Sequence, residues 1–98
     1  MTRYRVLAWH GIPAQVKAQE EGKRAVSAEL PGWFVEHIDR EAMRLGMYGS
    51  DEYLEQWEWS EYHEREGTAE EVVEAVMAEL VAEWEPRRTR WESGEDEV

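Results

Sequence analysis

The chain has 98 residues, 23 acids against 11 Lys and Arg, a net charge of −12, six tryptophans and no cysteine. That length allows one domain of roughly 100 residues, and the apolar and aromatic content argues against wholesale disorder. Without cysteine there is no disulfide framework, thiolate nucleophile or Cys-ligated metal or cluster. No apolar run approaches the ~18 residues of a membrane span.

The charge is unevenly distributed. Residues 1–49 carry seven cations against six acids, whereas residues 50–98 carry four against seventeen. A net negative chain opposes nucleic acid, whose affinity for proteins comes largely from Lys and Arg displacing counterions. The apolar run before His10, Val6 to Trp9, is only four residues long, short of a secretory core of roughly 7–15. The expected location is cytoplasmic.

In chain order, 3–16 reads as a β-hairpin. Tyr4 to His10 is rich in strand formers. Ile12, Ala14, Val16 and Ala18 then alternate with polar residues at the period of a half-buried strand. Gly11 supplies the turn. Glu20-Glu21-Gly22 breaks the second strand, and 23–28 reads as an extended continuation. Pro31 opens a first helix over about 31–45, with Phe34, Ile38, Ala42 and Leu45 on its apolar stripe, His37 facing away and Gly46 ending it. Ser50 caps a single turn reaching about Leu54.

Residues 55–64 read as a third strand on aromatic density, with Trp57, Trp59 and Glu61 sharing one face; helix is the alternative. Thr68-Ala69-Glu70-Glu71 is a capping box. It opens a second helix with Val72, Val73, Val76, Met77, Leu80, Val81 and Trp84 on a broad apolar arc, stopped by Pro86. The expected fold is α+β in the order β-β-α-β-α: a three-stranded antiparallel sheet with two helices on one face. A single domain occupies 1–85, and 86–98 is a mobile acidic tail.

Several blocks spread across this frame carry a resemblance: Gly11-Ile12-Pro13-Ala14-Gln15-Val16, Glu29-Leu30-Pro31 with Phe34, Ile38-Asp39-Arg40, Ala42-Met43-Arg44 and Asp51-Glu52-Tyr53-Leu54-Glu55-Gln56-Trp57. Over roughly 4–84 the chain resembles a small bacterial family, the virulence factor domain. That domain occurs alone and is similar to the C-terminal module of the larger conserved virulence factor C. The resemblance implies an accessory or scaffold role and supplies no catalytic residues. Gln19-Glu20-Glu21-Gly22 departs from a family stretch that tends to be more basic.

The residues with chemistry support a few sites. His10 and His63 stand at expected strand ends, where they would meet near Glu61 as a small ligand or metal site; solvated strand-end histidines are the simpler reading. Trp57 and Trp59 either pack as core or face outward to stack on a ligand or partner. Arg40 and Arg44, four apart on the first helix, can fork a carboxylate or phosphate, or pair with Glu36 or Glu41. Glu70 with Glu74, and Glu79 with Glu83, form like-charge pairs on the second helix.

The expected function is a non-catalytic accessory or protein-interaction module, without cofactor and acting on another protein. The acidic half would steer a partner with a basic surface. The wide apolar arc of the second helix argues for a homodimer. The alternative is a small-ligand or metal-binding accessory protein using Trp57, Trp59 and the strand-end histidines. An enzyme ranks last.

Overall fold

The computed structural model describes residues 1–47 and 49–93. The elements run β1 (Thr2–Trp9), β2 (Ile12–Glu20), β3 (Val26–Glu29), α1 (Gly32–Arg44), α2 (Asp51–Glu55), β4 (Trp57–Trp59), β5 (His63–Arg65) and α3 (Ala69–Ser93). The expected three strands and two helices are thus corrected to a five-stranded sheet and three helices among the described residues. The class remains α+β. The sheet order is β3-β2-β1-β4, with β5 also pairing β1, and every pairing is antiparallel.

The β1–β2 hairpin turns through His10 (φ 49°) and Gly11 (φ 86°). Two consecutive positive φ values match the right-handed twist of the flanking strands. The ladder then slips. Trp9 faces Ile12 and Ala8 faces Pro13, but Leu7 faces Gln15, so Ala14 is one residue too many on β2. This bulge bends the strand and changes which residues oppose each other below it. After β2, a turn carrying Gly22 at φ 77° sends the chain back antiparallel as β3. The expected continuation is therefore extended, but it is a separate strand.

The expected third strand is split. Trp57–Trp59 pair with the end of β1, and His63–Arg65 pair with its beginning. Between them residues 60–62 face only Arg5 and Val6, a second one-residue insertion. Ser60 bridges the gap: its N–H donates to the Val6 carbonyl at 2.8 Å, and its hydroxyl accepts from the Val6 N–H at 2.9 Å.

α1 ends in two backbone bonds that satisfy its last carbonyls, Gly46 N–H to Met43 O and Met47 N–H to Ala42 O, with Gly46 at φ 72°. This cap stops the apolar stripe at Ala42 and leaves Leu45, an expected core residue, 38% exposed. α2 is capped by Ser50, whose hydroxyl accepts from the Tyr53 N–H.

α3 begins at the capping box. The Glu71 N–H donates to the Thr68 hydroxyl at 3.1 Å, and the Thr68 N–H donates to the Glu71 carboxylate at 3.0 Å. Two contacts from the sheet reinforce this end. The Glu20 carboxylate accepts from the Ala69 N–H at 3.0 Å, and the Thr2 hydroxyl donates to the Gly67 carbonyl. Pro86 does not stop the helix, which continues to Ser93. Interior proline removes one helical bond and costs about 3 kcal/mol, so tertiary contacts must offset it. Trp84 is buried against Phe34 and His37, Arg87 lies 4.2 Å from the Trp84 ring centre, and Arg88 lies 5.2 Å from that of Trp33. Residues 94–98 of the expected tail lie outside the described residues.

The core has two clusters. Val16 and Ala18 meet Ala69, Val72, Val73 and Val76 beneath α3. Trp9, Ile12, Ala14 and Leu30 join Phe34, Ile38, Ala42 and Trp84. The Trp9 indole N–H donates to the Tyr53 carbonyl at 2.8 Å, which satisfies its one polar atom inside the cluster. His37, expected on the exposed side, is buried because Trp84 crosses that flank of α1. The apolar arc of α3 that suggested a second copy is used within the chain: Met77 and Leu80 pack on both clusters and Val81 on the one around Trp9.

Truncating Ile38 to Ala should cost about 2–5 kcal/mol, whereas Leu45→Ala should stay within about 0.5 kcal/mol. Equal losses in urea unfolding would contradict the placement of the α1 cap. A pH titration checks the α3 start. The bond from Lys23, and less so that from Ala69, holds the Glu20 carboxyl below its usual value. The Thr68 N–H and hydroxyl do the same for Glu71. A lowered folded-state pKa stabilises the fold above the unfolded value of about 4.3, and that stability is lost as pH falls through the folded one. The parent should therefore be more stable than Glu20→Gln at pH 7, and the gap should narrow in acid. A gap that does not change with pH would count against this arrangement.

Candidate functional site

Strand alternation sorts β1 into two sets. Tyr4 and Val6 pack into the cluster beneath α3. Arg3, Arg5 and Leu7 therefore point to the other face. Cross-strand pairing extends that face: Arg5 stands opposite Lys17, Arg3 opposite Gln19, Leu7 opposite Gln15 and Trp59, and Lys17 opposite Ser27. Arg3, Gln19 and Ser27 are exposed there, and Arg5, Lys17 and Trp59 half-buried.

The insertion at 60–62 brings in one more residue. In an unbroken strand, residues 59 and 62 would point to opposite faces. The extra residue reverses the alternation, so His63 stands opposite Tyr4 and Tyr62 joins Trp59 on the outer face. The result is an alternating row of cations and rings. Lys17 Nζ lies 6.0 Å from the Trp59 ring centre, and the Arg5 guanidinium 4.4 Å from the same ring and 4.8 Å from Tyr62. Arg3 closes the row at 4.9 Å from Tyr62.

The electrostatics of this row are unusual for so acidic a chain. Lys23, Arg44, Arg65 and Arg88 each pair with a glutamate. Among the described residues, Arg3, Arg5 and Lys17 pair with none. Glu64 is opposite Arg3 in the ladder but forms no ion pair with it. Like charges directly opposite on a sheet, as Arg5 and Lys17 are, are destabilising. Each cation–ring contact returns about 0.5–1 kcal/mol at an exposed site. The rings thus hold the cations in place without neutralising them. The Arg5 Nε is buried and has no hydrogen-bond partner.

The residues singled out from sequence fall in several places. Trp57 packs with the Trp9 cluster, edge-on to Tyr53 at 6.3 Å, while Trp59 carries the Arg5 guanidinium. His10 lies in the β1–β2 turn, and His63 stands opposite Tyr4, six residues back along β1. At about 3.3 Å per residue the two are some 20 Å apart. The structure does not bring them together, and Glu61 is an exposed member of the insertion. Among the described residues no three His, Cys, Asp or Glu side chains converge as a metal site would require.

Arg44 donates from Nε and Nη2 to the single Glu41 Oε2 at 2.9 and 2.6 Å, and Arg40 is exposed on α1. Glu70, Glu74 and Glu83 are exposed on α3. Glu79 instead pairs with Arg65 at 3.0 and 2.5 Å, which lowers its carboxyl pKa and raises that of the guanidinium. There are also two open clefts. One, of about 360 Å³, runs between Val6, Ala8, Glu58, Leu80 and Trp84 and reaches Trp59; the other, of about 430 Å³, is bordered by His10, His37, Arg44 and Arg87.

The family model described as Virulence factor matches residues 7–90. The chain belongs to the virulence factor family. No curated protein and no solved structure matches it. The virulence factor match takes in Lys17, Trp59 and Tyr62 and begins two residues after Arg5.

Proposed function

We propose that this virulence factor domain is a non-catalytic protein-interaction module, and that the sheet face turned away from α3 is its contact surface. The row Lys17, Trp59, Arg5, Tyr62, Arg3 carries this reading: three cations without carboxylate partners, held on two rings of which Tyr62 is 50% exposed. Aromatic residues and arginine are the side chains that most often anchor interfaces. Leaving such a row open costs stability, and a partner that supplies carboxylates would remove that cost. The resemblance to the C-terminal module of conserved virulence factor C supports an accessory place in a larger assembly.

The row is a local positive patch with the exposed Glu29 and Glu64 at neighbouring sheet positions. Glu70, Glu74 and Glu83 are exposed on α3, on the far side of the sheet from the cationic row. This arrangement orients an acidic partner toward the row before contact. A basic partner would instead meet α3.

A photo-crosslinking residue placed at Ser27, on the open face, should trap a specific partner in the native host, and Arg5→Glu should abolish the product. The same residue at Glu74 should trap none. Crosslinks at Glu74 alone would move the contact to α3 and favour a basic partner. A Ser27 product indifferent to Arg5→Glu would remove the cationic row from the contact.

A further inference from the structure

The cationic row also constrains what it binds. We infer that the open face takes an extended acidic peptide segment with carboxylates at alternate positions, one of them gripped by Arg5. This rests on the interaction reading above.

Three features of the row select that ligand. The first is spacing. Arg3 and Arg5 are two residues apart on β1, so their Cα atoms repeat at about 6.7 Å. An extended peptide laid along β1 repeats every second side chain at the same distance. Lys17, directly opposite Arg5, adds a third cation beside the row.

The second is the state of Arg5. Its guanidinium touches both rings and its Nε is buried. The group is already positioned before any ligand arrives. A carboxylate can then be forked by the remaining nitrogens with little further loss of side-chain freedom.

The third is what the row disfavours. The rings already carry guanidinium and ammonium groups, which compete with nucleobases for stacking. Glu29 and Glu64 are exposed at neighbouring sheet positions, and the chain has a net charge of −12. A long polyphosphate meets that field along its whole length. The same field opposes an acidic peptide, but a short segment brings few charges into it and meets the three cations directly.

The test is a titration of the full chain by calorimetry and tryptophan fluorescence. Its probes are a Glu-Thr-Glu-Thr-Glu peptide, the matching Gln-Thr-Gln-Thr-Gln peptide and an oligothymidylate. The acidic peptide should bind at least about tenfold more tightly than the glutamine peptide, and the binding should weaken as salt shortens the Debye length from about 10 Å toward 3 Å.

Arg5→Gln should lose at least about tenfold in affinity, and Arg5→Lys should also lose because it keeps the charge without the fork. Arg24→Gln, exposed after β2, should bind as the parent does. If Arg5→Gln lowers the melting temperature, the Arg3→Gln/Lys17→Gln double variant, which leaves the Arg5 stack intact, should show the same loss.

Equal binding of the two peptides, or parent-like affinity in both Arg5→Gln and the double variant, would overturn the inference. Preference for the oligothymidylate would overturn it in favour of a single-strand nucleic-acid platform. A Ser27 crosslink persisting without peptide binding would remove only the acidic ligand and leave the interaction reading standing.

Discussion

β1 is bonded along one edge to β2 and along the other to β4, β5 and the Ser60 bridge. With both edges committed, its residues cannot slip, because a shift of one position would exchange the two faces. Tyr4 and Val6 must then supply core while Arg3, Arg5 and Leu7 supply the open face. The same strand ties down the start of α3 through the Thr2 hydroxyl and carries Trp9 into the second cluster. Core and candidate site are the two sides of one register.

Two single-residue insertions gather the row of cations and rings on that register. The one at Ala14 moves Lys17 opposite Arg5; a regular hairpin closed at His10-Gly11 would have placed Val16 there. The one at 60–62 moves Tyr62 onto the face of Trp59. Each breaks ladder pairing locally, which Ser60 repairs at the second position with bonds to both polar groups of Val6. Bulges often re-aim side chains near functional surfaces, and here both act on the same five residues. The slip at Ala14 also serves the core, since it sets Val16 opposite Val6 and Ala18 opposite Tyr4 beneath α3; on the other face the gathered cations repel, and among the described residues none pairs with a carboxylate.

Much of the frame was legible in the sequence because it depends on short-range patterns. The alternation in 12–18, the stripe through Phe34, Ile38 and Ala42, the Ser50 cap and the Thr68–Glu71 box all appear where local chemistry places them. What was missed depends on contacts between distant segments. Pro86 reads as a stop, yet packing of Trp84 across α1 offsets its cost and buries His37 as well. The strand at 55–64 reads as one piece because composition does not reveal a one-residue insertion. Strict alternation then pairs Trp59 with Glu61 and leaves Tyr62 out. Arg3 and Arg5 share a face by strand alternation alone, but the slipped hairpin register sets Lys17 beside them and the insertion at 60–62 adds Tyr62 to Trp59.

The central claim is that the Arg5 guanidinium is held on Trp59 and Tyr62 before any partner binds, and nitrogen-15 NMR of the arginine Nε–H groups tests it most directly. One resonance should shift upfield under the ring currents and exchange slowly with solvent, disappear in Arg5→Lys, and lose its shift when Trp59 and Tyr62 are both replaced by leucine. If every arginine Nε–H exchanges rapidly at the shift of a free side chain, the row is not preorganised and the account of the open face fails.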